Sequence, residues 1–366
     1  MLCSTATTRR ITALALALIL ATLAACGGAS PSPSAPSSPS PSPSALTPSP
    51  SPSEQPTPSE PDPTPSEEPS PSIDESSPSP SQDNTVITFP DPAFEAAVRS
   101  AIGKPTGAVT KTDVAGVTRL DVSGTYGVRG NIRDMTGIEH FTALTQLYCY
   151  DNQITSLDIS RNTTLMYLEC QNNQITALDV SRNTALTLLD CQGNQLTTLD
   201  VSRLAALTWL GCDGNQLTTL DVSRLTALTE LNCGYNQLAT LDVSGATALT
   251  ELWCQNNQLT SLDVSGATAL TVLLCQRNQL TSLDVSRLAA LTWLGCNGNR
   301  LTTLDVSRLA ALTWLGCDGN RLTTLDVTYN TVLEWIDCWD NYFTDKSGII
   351  GLDESRTRAV FVDPHG

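Results

Sequence analysis

Cysteine offers this chain its richest potential chemistry. Ten cysteines fall 21 residues apart without a slip: Cys149, Cys170, Cys191, Cys212, Cys233, Cys254, Cys275, Cys296, Cys317 and Cys338. Thiols in such numbers can cross-link, hold a metal or exchange disulfides. Their strict periodicity points elsewhere. A fixed period near 20 residues marks a solenoid, in which each coil buries its apolar face only by stacking on the next. Equivalent Cα atoms of neighbouring coils then lie about 4.8 Å apart with parallel side chains. A relaxed disulfide wants converging Cβ atoms ~3.8 Å apart. Buried free thiols acting as small apolar core are the favoured expectation; some disulfides, or a metal or redox role, are the alternatives.

Other chemistry is sparse. The two histidines, His140 and His365, are far apart in sequence, which makes a zinc or acid–base site hard to build. No nucleophile–base pair is visible, and the repeated Asp and Asn fall at structural positions. No catalytic residue, metal ligand or cofactor is therefore assigned, and an enzyme is the least favoured class. The formal charge is −17, from 20 basic and 37 acidic residues. Without residues 1–25 it is −19, since Arg9 and Arg10 leave 18 basic against 37 acidic. Such acidity repels phosphate backbones and argues against nucleic acid as partner.

The elements that position these residues begin with an export signal. Residues 1–25 carry Arg9-Arg10 and the apolar run Ile11–Ala25, too short for a confident membrane span. They end in Leu23-Ala24-Ala25-Cys26-Gly27, which resembles a lipobox, the bacterial signal whose cysteine is diacylated. Cys26 is thus the expected lipidation site and the membrane anchor. Residues 26–85 follow as a Ser/Pro tether; its 29–85 stretch holds 18 of the 22 prolines and neither Lys nor Arg. It cannot bury enough apolar surface to fold and is expected in extended polyproline II forms, reaching roughly 180 Å at most. Anchoring is expected at Cys26 rather than at a sorting signal after the repeats. The expected location is the outer face of a bacterial cell membrane, of Gram-positive type.

Residues 86–116 read as a helical N-terminal cap. Asp91 is its N-cap, Pro92 takes the first helical position, and Phe94, Ala97, Val98 and Ile102 recur at helical spacing up to Gly103. A second short helix is expected from Thr110, with Asp113 closing a capping box. The repeats span 117–341, opening on a coil without cysteine, and 342–366 reads as a C-terminal cap with a closing strand near Ala359–Val362.

Each unit runs Leu-x-x-Leu-x-Cys-x-x-Asn-x-Leu-x-x-Leu-Asp-Val-Ser plus four variable residues, and its first eleven positions match the leucine-rich-repeat pattern. The fold class expected is an α/β solenoid: a right-handed coil with a parallel β-sheet on its concave face and few or no helices on the convex side. In Leu147-Tyr148-Cys149 the apolar residues alternate, so Leu147 and Cys149 point inward and Tyr148 outward. Asn152 and its copies through Asn341 are expected to bond backbone groups of their own and neighbouring coils. Asp158 and its copies are expected to accept local N–H groups or to pair with Arg161, Arg182, Arg203, Arg224, Arg287 and Arg308.

These repeats, with the leader from Phe89-Pro90-Asp91 to Asp134-Met135-Thr136-Gly137-Ile138-Glu139, resemble the internalins. Those are bacterial surface leucine-rich-repeat proteins with a helical N-terminal cap, some with a ladder of unpaired thiols. The resemblance covers roughly residues 86–341 and implies an adhesin-like binding role.

Positions three, five, seven and eight of the unit are expected to be the outward positions of the strand face. All six tryptophans lie there: Trp209, Trp253, Trp293, Trp314, Trp335 and Trp339. Tyr148, Tyr150, Tyr167 and Tyr235 join them, with Glu230 and Glu251 among the acids. Other acids there are Asp151, Glu169, Asp190, Asp213, Asp318, Asp337 and Asp340, against one cation, Arg277. Gly211, Gly295 and Gly316, two residues after a Trp, are expected to leave flat space beside each ring. Near-identical units explain Trp209, Trp293 and Trp314 as copies, but not Trp253, Trp335 or Trp339. An aromatic cluster of this size points to a ligand-binding face. The expected partner is a protein, with a glycan as alternative and a ligand-free envelope spacer as the third reading. A monomer is expected.

Overall fold

The computed structural model describes residues 83–125 and 130–360. Cys26, the signal-like segment 1–25 and most of the tether lie outside the described residues, as does the end of the chain beyond Val360.

The chain enters through helix α1 (Pro92–Ala101), started by Asp91, whose carboxylate accepts the N–H groups of Ala93 and Phe94. The same carboxylate accepts the N–H groups of Arg133 and Asp134 at 2.7 and 3.1 Å, tying the cap to the first coil. Phe94 and Val98 are fully buried, and Phe89 meets Phe94 edge to face. Helix α2 (Lys111–Val114) follows, closed by the Thr110–Asp113 capping box.

Twelve parallel strands then form one sheet. They are β1 (Arg119–Asp121), β2 (Gln146–Tyr148), β3 (Tyr167–Glu169), β4 (Leu188–Asp190), β5 (Trp209–Gly211), β6 (Glu230–Asn232), β7 (Glu251–Trp253), β8 (Val272–Leu274), β9 (Trp293–Gly295) and β10 (Trp314–Gly316), continued after β11 (Leu325–Asp326) by β12 (Trp335–Asp337) and after β13 (Ile349–Ile350) by β14 (Arg358–Val360). The register advances one repeat per strand, so Trp293 pairs Trp314 and Trp314 pairs Trp335. On the opposite side β11 pairs β13, and parallel bridges link Asp221, Asp242 and Asp263.

Each coil is closed by the same apolar set. In the coil of Cys233, the residues Leu228, Leu231, Leu238 and Val243 show no exposed surface, and Leu241 shows 6%. All ten ladder cysteines are buried and free. Asn257 shows how the second ladder works. Its amide donates to the carbonyls of Cys233 and Cys254 at 3.0 and 3.1 Å, and its Oδ1 accepts the Leu238 N–H at 2.9 Å. The buried Leu238 N–H is satisfied by this side chain, and each carbonyl is shared with the asparagine of a neighbouring unit, Cys233 with Asn236 and Cys254 with Asn278.

The convex aspartates choose local partners. Asp242 Oδ1 accepts the Ser244 N–H at 2.9 Å, and the pattern repeats from Asp158 to Asp326. Arg161 acts on Asp158 only through space, and among the described residues none of the six arginines named above forms a salt bridge.

The strands end earlier than the outward positions suggested. Each covers positions three to five only. Position eight has positive φ in every coil: Asp151, Asn172, Gly193, Gly214, Tyr235, Asn256, Arg277, Gly298, Gly319 and Asp340. The chain turns there through the left-handed region, which Gly, Asn and Asp enter most easily. Tyr235, Asp151, Asp340 and Arg277 therefore sit on a lip beyond the strand ends and not on the sheet face.

Candidate functional site

The sheet face between β1 and β12 holds the aromatic and acidic residues at positions three and five, and the lip holds those at seven and eight. Trp209, Trp293, Trp314 and Trp335 stand at position three, Trp253 at position five, and Trp339 at position seven. Their rings do not stand free. Trp209 and Trp253 retain only 9% and 7% of their surface, while the other four are half-buried.

The glycines explain why. A Cβ on Gly211 would lie 2.3 Å from Cη2 of Trp209, and one on Gly316 would lie 2.4 Å from Cη2 of Trp314. Each ring is folded down along its own strand into the space its glycine leaves. The flat space expected beside the rings is occupied by the rings themselves, which corrects the sequence reading. Gly295 instead faces Leu274 of the preceding coil. Trp293 stacks on Trp314 with centroids 4.9 Å apart and planes 27° apart. Trp335, one coil further, makes no such ring contact among the described residues.

The tyrosines divide. Tyr148 lies under the Arg119 guanidinium, 4.5 Å from its ring centroid, so part of its face is already taken. Tyr167 and Tyr235 are exposed at 36% and 38%, and Tyr150 is half-buried. The structure brings Trp293, Trp314, Trp335 and Trp339 together at one end of the face. Trp209, Trp253, Glu230 and Glu251 occupy the middle, and Tyr148, Tyr150 and Tyr167 lie towards β1.

Burial also alters the acids. It pushes Asp213, Glu251 and Asp318 up to about 7, Glu251 with help from the neighbouring Glu230 charge and Asp318 from Asp337. Burial raises Glu169, Glu230 and Asp337 as well, and Asp190 strongly. The Trp209 indole N–H lies beside Glu230, its register partner, without closing a well-aligned bond. Asn232 donates to Asp213 at 2.9 Å, and Asn297 donates to Asp318. The face therefore holds fewer negative charges near neutral pH than its composition suggests. Protonated carboxyls there donate hydrogen bonds as well as accept them.

The thiols offer no site. Burial pushes Cys149, Cys275 and Cys338 up to about 12, and the rest of the ladder rises for the same reason. Among the described residues no cluster of His, Cys, Asp and Glu could hold a metal ion, and no helix is long and apolar enough to cross a membrane.

A solved domain of internalin J from Listeria monocytogenes, which includes a cysteine ladder, superimposes with a TM-score of 0.68 at 40% identity. The match covers 73% of this chain and 62% of that one. The chain is an internalin-like leucine-rich-repeat protein. Internalin J of Listeria monocytogenes serotype 4b (strain F2365) is 44% identical over 76 residues, which is 20% of this chain and 8% of that protein. The chain thus spans less than two thirds of each of these two relatives. The Leptospira interrogans leucine-rich-repeat protein LIC12759 aligns over 58% of each chain with a TM-score of 0.54 and 26% identity. No protein-family model matches the chain.

Proposed function

We propose that this internalin-like chain is a lipid-anchored, adhesin-like bacterial surface protein that binds a protein ligand through the concave face of its solenoid and catalyses no reaction. The carrying observation is the row Trp293, Trp314 and Trp335 on neighbouring strands of the sheet, half-buried and backed by a continuous sheet. Indoles held this way offer large, pre-ordered contact area at low entropic cost, as interface anchors do. Cys26 supplies the anchor and the Ser/Pro tether the reach, both read from sequence. A monomer presents the face unobstructed.

A glycan is the second reading. It is favoured by half-buried carboxyls that both donate and accept, next to indole surface. Salt separates the two, because a protein with a basic patch loses affinity as charge is screened while a stacked sugar does not.

The test is an array of surface proteins, matrix components and glycans probed with the purified full-length chain at low and high salt. A salt-sensitive protein hit is expected. Binding to nothing above background would leave the spacer reading and sink this one.

A further inference from the structure

Glu230 on β6 and Glu251 on β7 are register partners at position three, so their side chains leave the same side of the sheet from backbones about 4.8 Å apart. Both are half-buried and keep part of their surface in solvent. Like charges directly opposite on neighbouring strands destabilise a sheet. The surroundings do not offset that cost. β5 presents Trp209 beside Glu230, and β8 presents Val272 beside Glu251. Asn232 and Trp253 follow at position five of the two strands themselves, with Leu274 beside Trp253. Glu251 feels burial and the Glu230 charge, and among the described residues no cation acts appreciably on either carboxyl. Two charged groups past the neighbouring strands are engaged elsewhere: Asp213 accepts from Asn232 at 2.9 Å, and Arg277 bears on Asp318. A second feature points to an occupant. Trp209 keeps only 9% of its surface, and its buried indole N–H is directed at Glu230 without a bonded partner. Such an unmet donor is a bond left to close once the Glu230 carboxylate is fixed in place.

We infer that Glu230 and Glu251 form a clasp for the guanidinium of an arginine side chain on the protein partner, with the Trp209 indole closing on Glu230 as the clasp engages. A guanidinium carries five N–H donors in a planar fork, so it can offer one edge to each carboxylate. Its weak hydration suits a half-buried seat, whereas an ammonium brings three donors from one point and gives up more water. Trp209 and Val272 flank the pair with apolar surface, and the lower local dielectric strengthens the attraction. The bound cation also removes the repulsion between the two carboxylates. The clasp rests on the concave-face reading. Its test uses a defined probe, so failure there would remove the clasp and leave the array result standing.

The full-length chain, labelled with 15N at tryptophan, is titrated with Nα-acetyl-arginine methylamide. Its neutral isostere Nα-acetyl-citrulline methylamide and Nα-acetyl-lysine methylamide are run in parallel, with indole signals assigned by single Trp→Phe changes. The arginine derivative is expected to shift the Trp209 signal saturably in the millimolar range, lysine to bind more weakly, and citrulline to leave the signal in place. Glu251→Gln, one strand removed from the Trp209 reporter, should weaken binding by ~10-fold or more. The remaining indole signals report whether that variant stays folded. Glu251 ionises as pH rises through about 7, so wild-type binding should be several-fold tighter near ~pH 8 than near ~pH 6, a dependence the Gln variant largely loses. No saturable shift, an equal response to citrulline, affinity indifferent to pH, or undiminished binding by the folded Gln variant would overturn the clasp. Equal or tighter binding of the lysine derivative would overturn the assignment to arginine.

Discussion

A ladder thiol sits among leucines of its own coil and next to the thiols of the coils on either side, with nothing nearby to stabilise a thiolate. The rise of Cys149 and Cys275 to about 12 expresses that desolvation. In the native protein the ten ladder thiols should be silent to a thiol-specific chromophore, and all should react once denatured without reductant. Fewer than about eight would mean that disulfides form despite the parallel geometry. The tryptophan positions were legible from the period alone, because strand alternation decides which side chains point outward. How far each ring stays exposed was not legible. It depends on a rotamer lying over Gly211 or Gly316, a tertiary outcome that spacing does not encode.

At the scale of one coil, the turn is held by asparagine. Asn257→Ala would leave the Leu238 N–H without its side-chain partner and take one of two asparagine donors from each of the Cys233 and Cys254 carbonyls, which Asn236 and Asn278 still reach. A cost of about 1–3 kcal/mol is expected in denaturant unfolding, since the buried N–H loses both water and partner. Asp242→Ala, which removes one exposed bond to Ser244, should cost less than ~1 kcal/mol. The order reversed would show that the convex turns carry the repeat. The strand, the Asn ladder and the capping helix were readable because each has a local signature. The left-handed turn at position eight has a signature of its own as well, since eight of the ten residues there are Gly, Asn or Asp. Tyr235 and Arg277 hid that signal by being poor left-handed residues placed there by their neighbours.

The whole molecule sets two rows of acids against each other. On the concave face, folding raises carboxyl pKa values, so the folded chain binds protons that the unfolded chain has released. Stability from this face is therefore greatest at low pH and falls as pH rises from about 4 through about 7. On the convex side the Ser hydroxyl and N–H groups hold Asp158, Asp242 and their copies below the usual range. That contribution is present above about pH 4 and lost below it. Thermal melting should peak in mild acid, with a higher midpoint near ~pH 5.5 than near ~pH 8. A midpoint that climbs steadily to pH 8 would mean the concave acids are solvated and ordinary. The acid count was plain in the sequence, but the desolvation that changes its meaning arises only when neighbouring coils close around each carboxyl.

The central claim is that this scaffold binds through its aromatic concave face, and one comparison tests it most directly. Affinity for the ligand found on the array is measured for wild type, for Trp293→Ala/Trp314→Ala/Trp335→Ala, and for a convex control, Arg287→Ala/Arg308→Ala. The account predicts a loss of at least ~100-fold for the tryptophan variant, given about 2 kcal/mol or more for a central aromatic anchor, and unchanged affinity for the control. Equal binding by the folded tryptophan variant, or loss in the convex control, would contradict it.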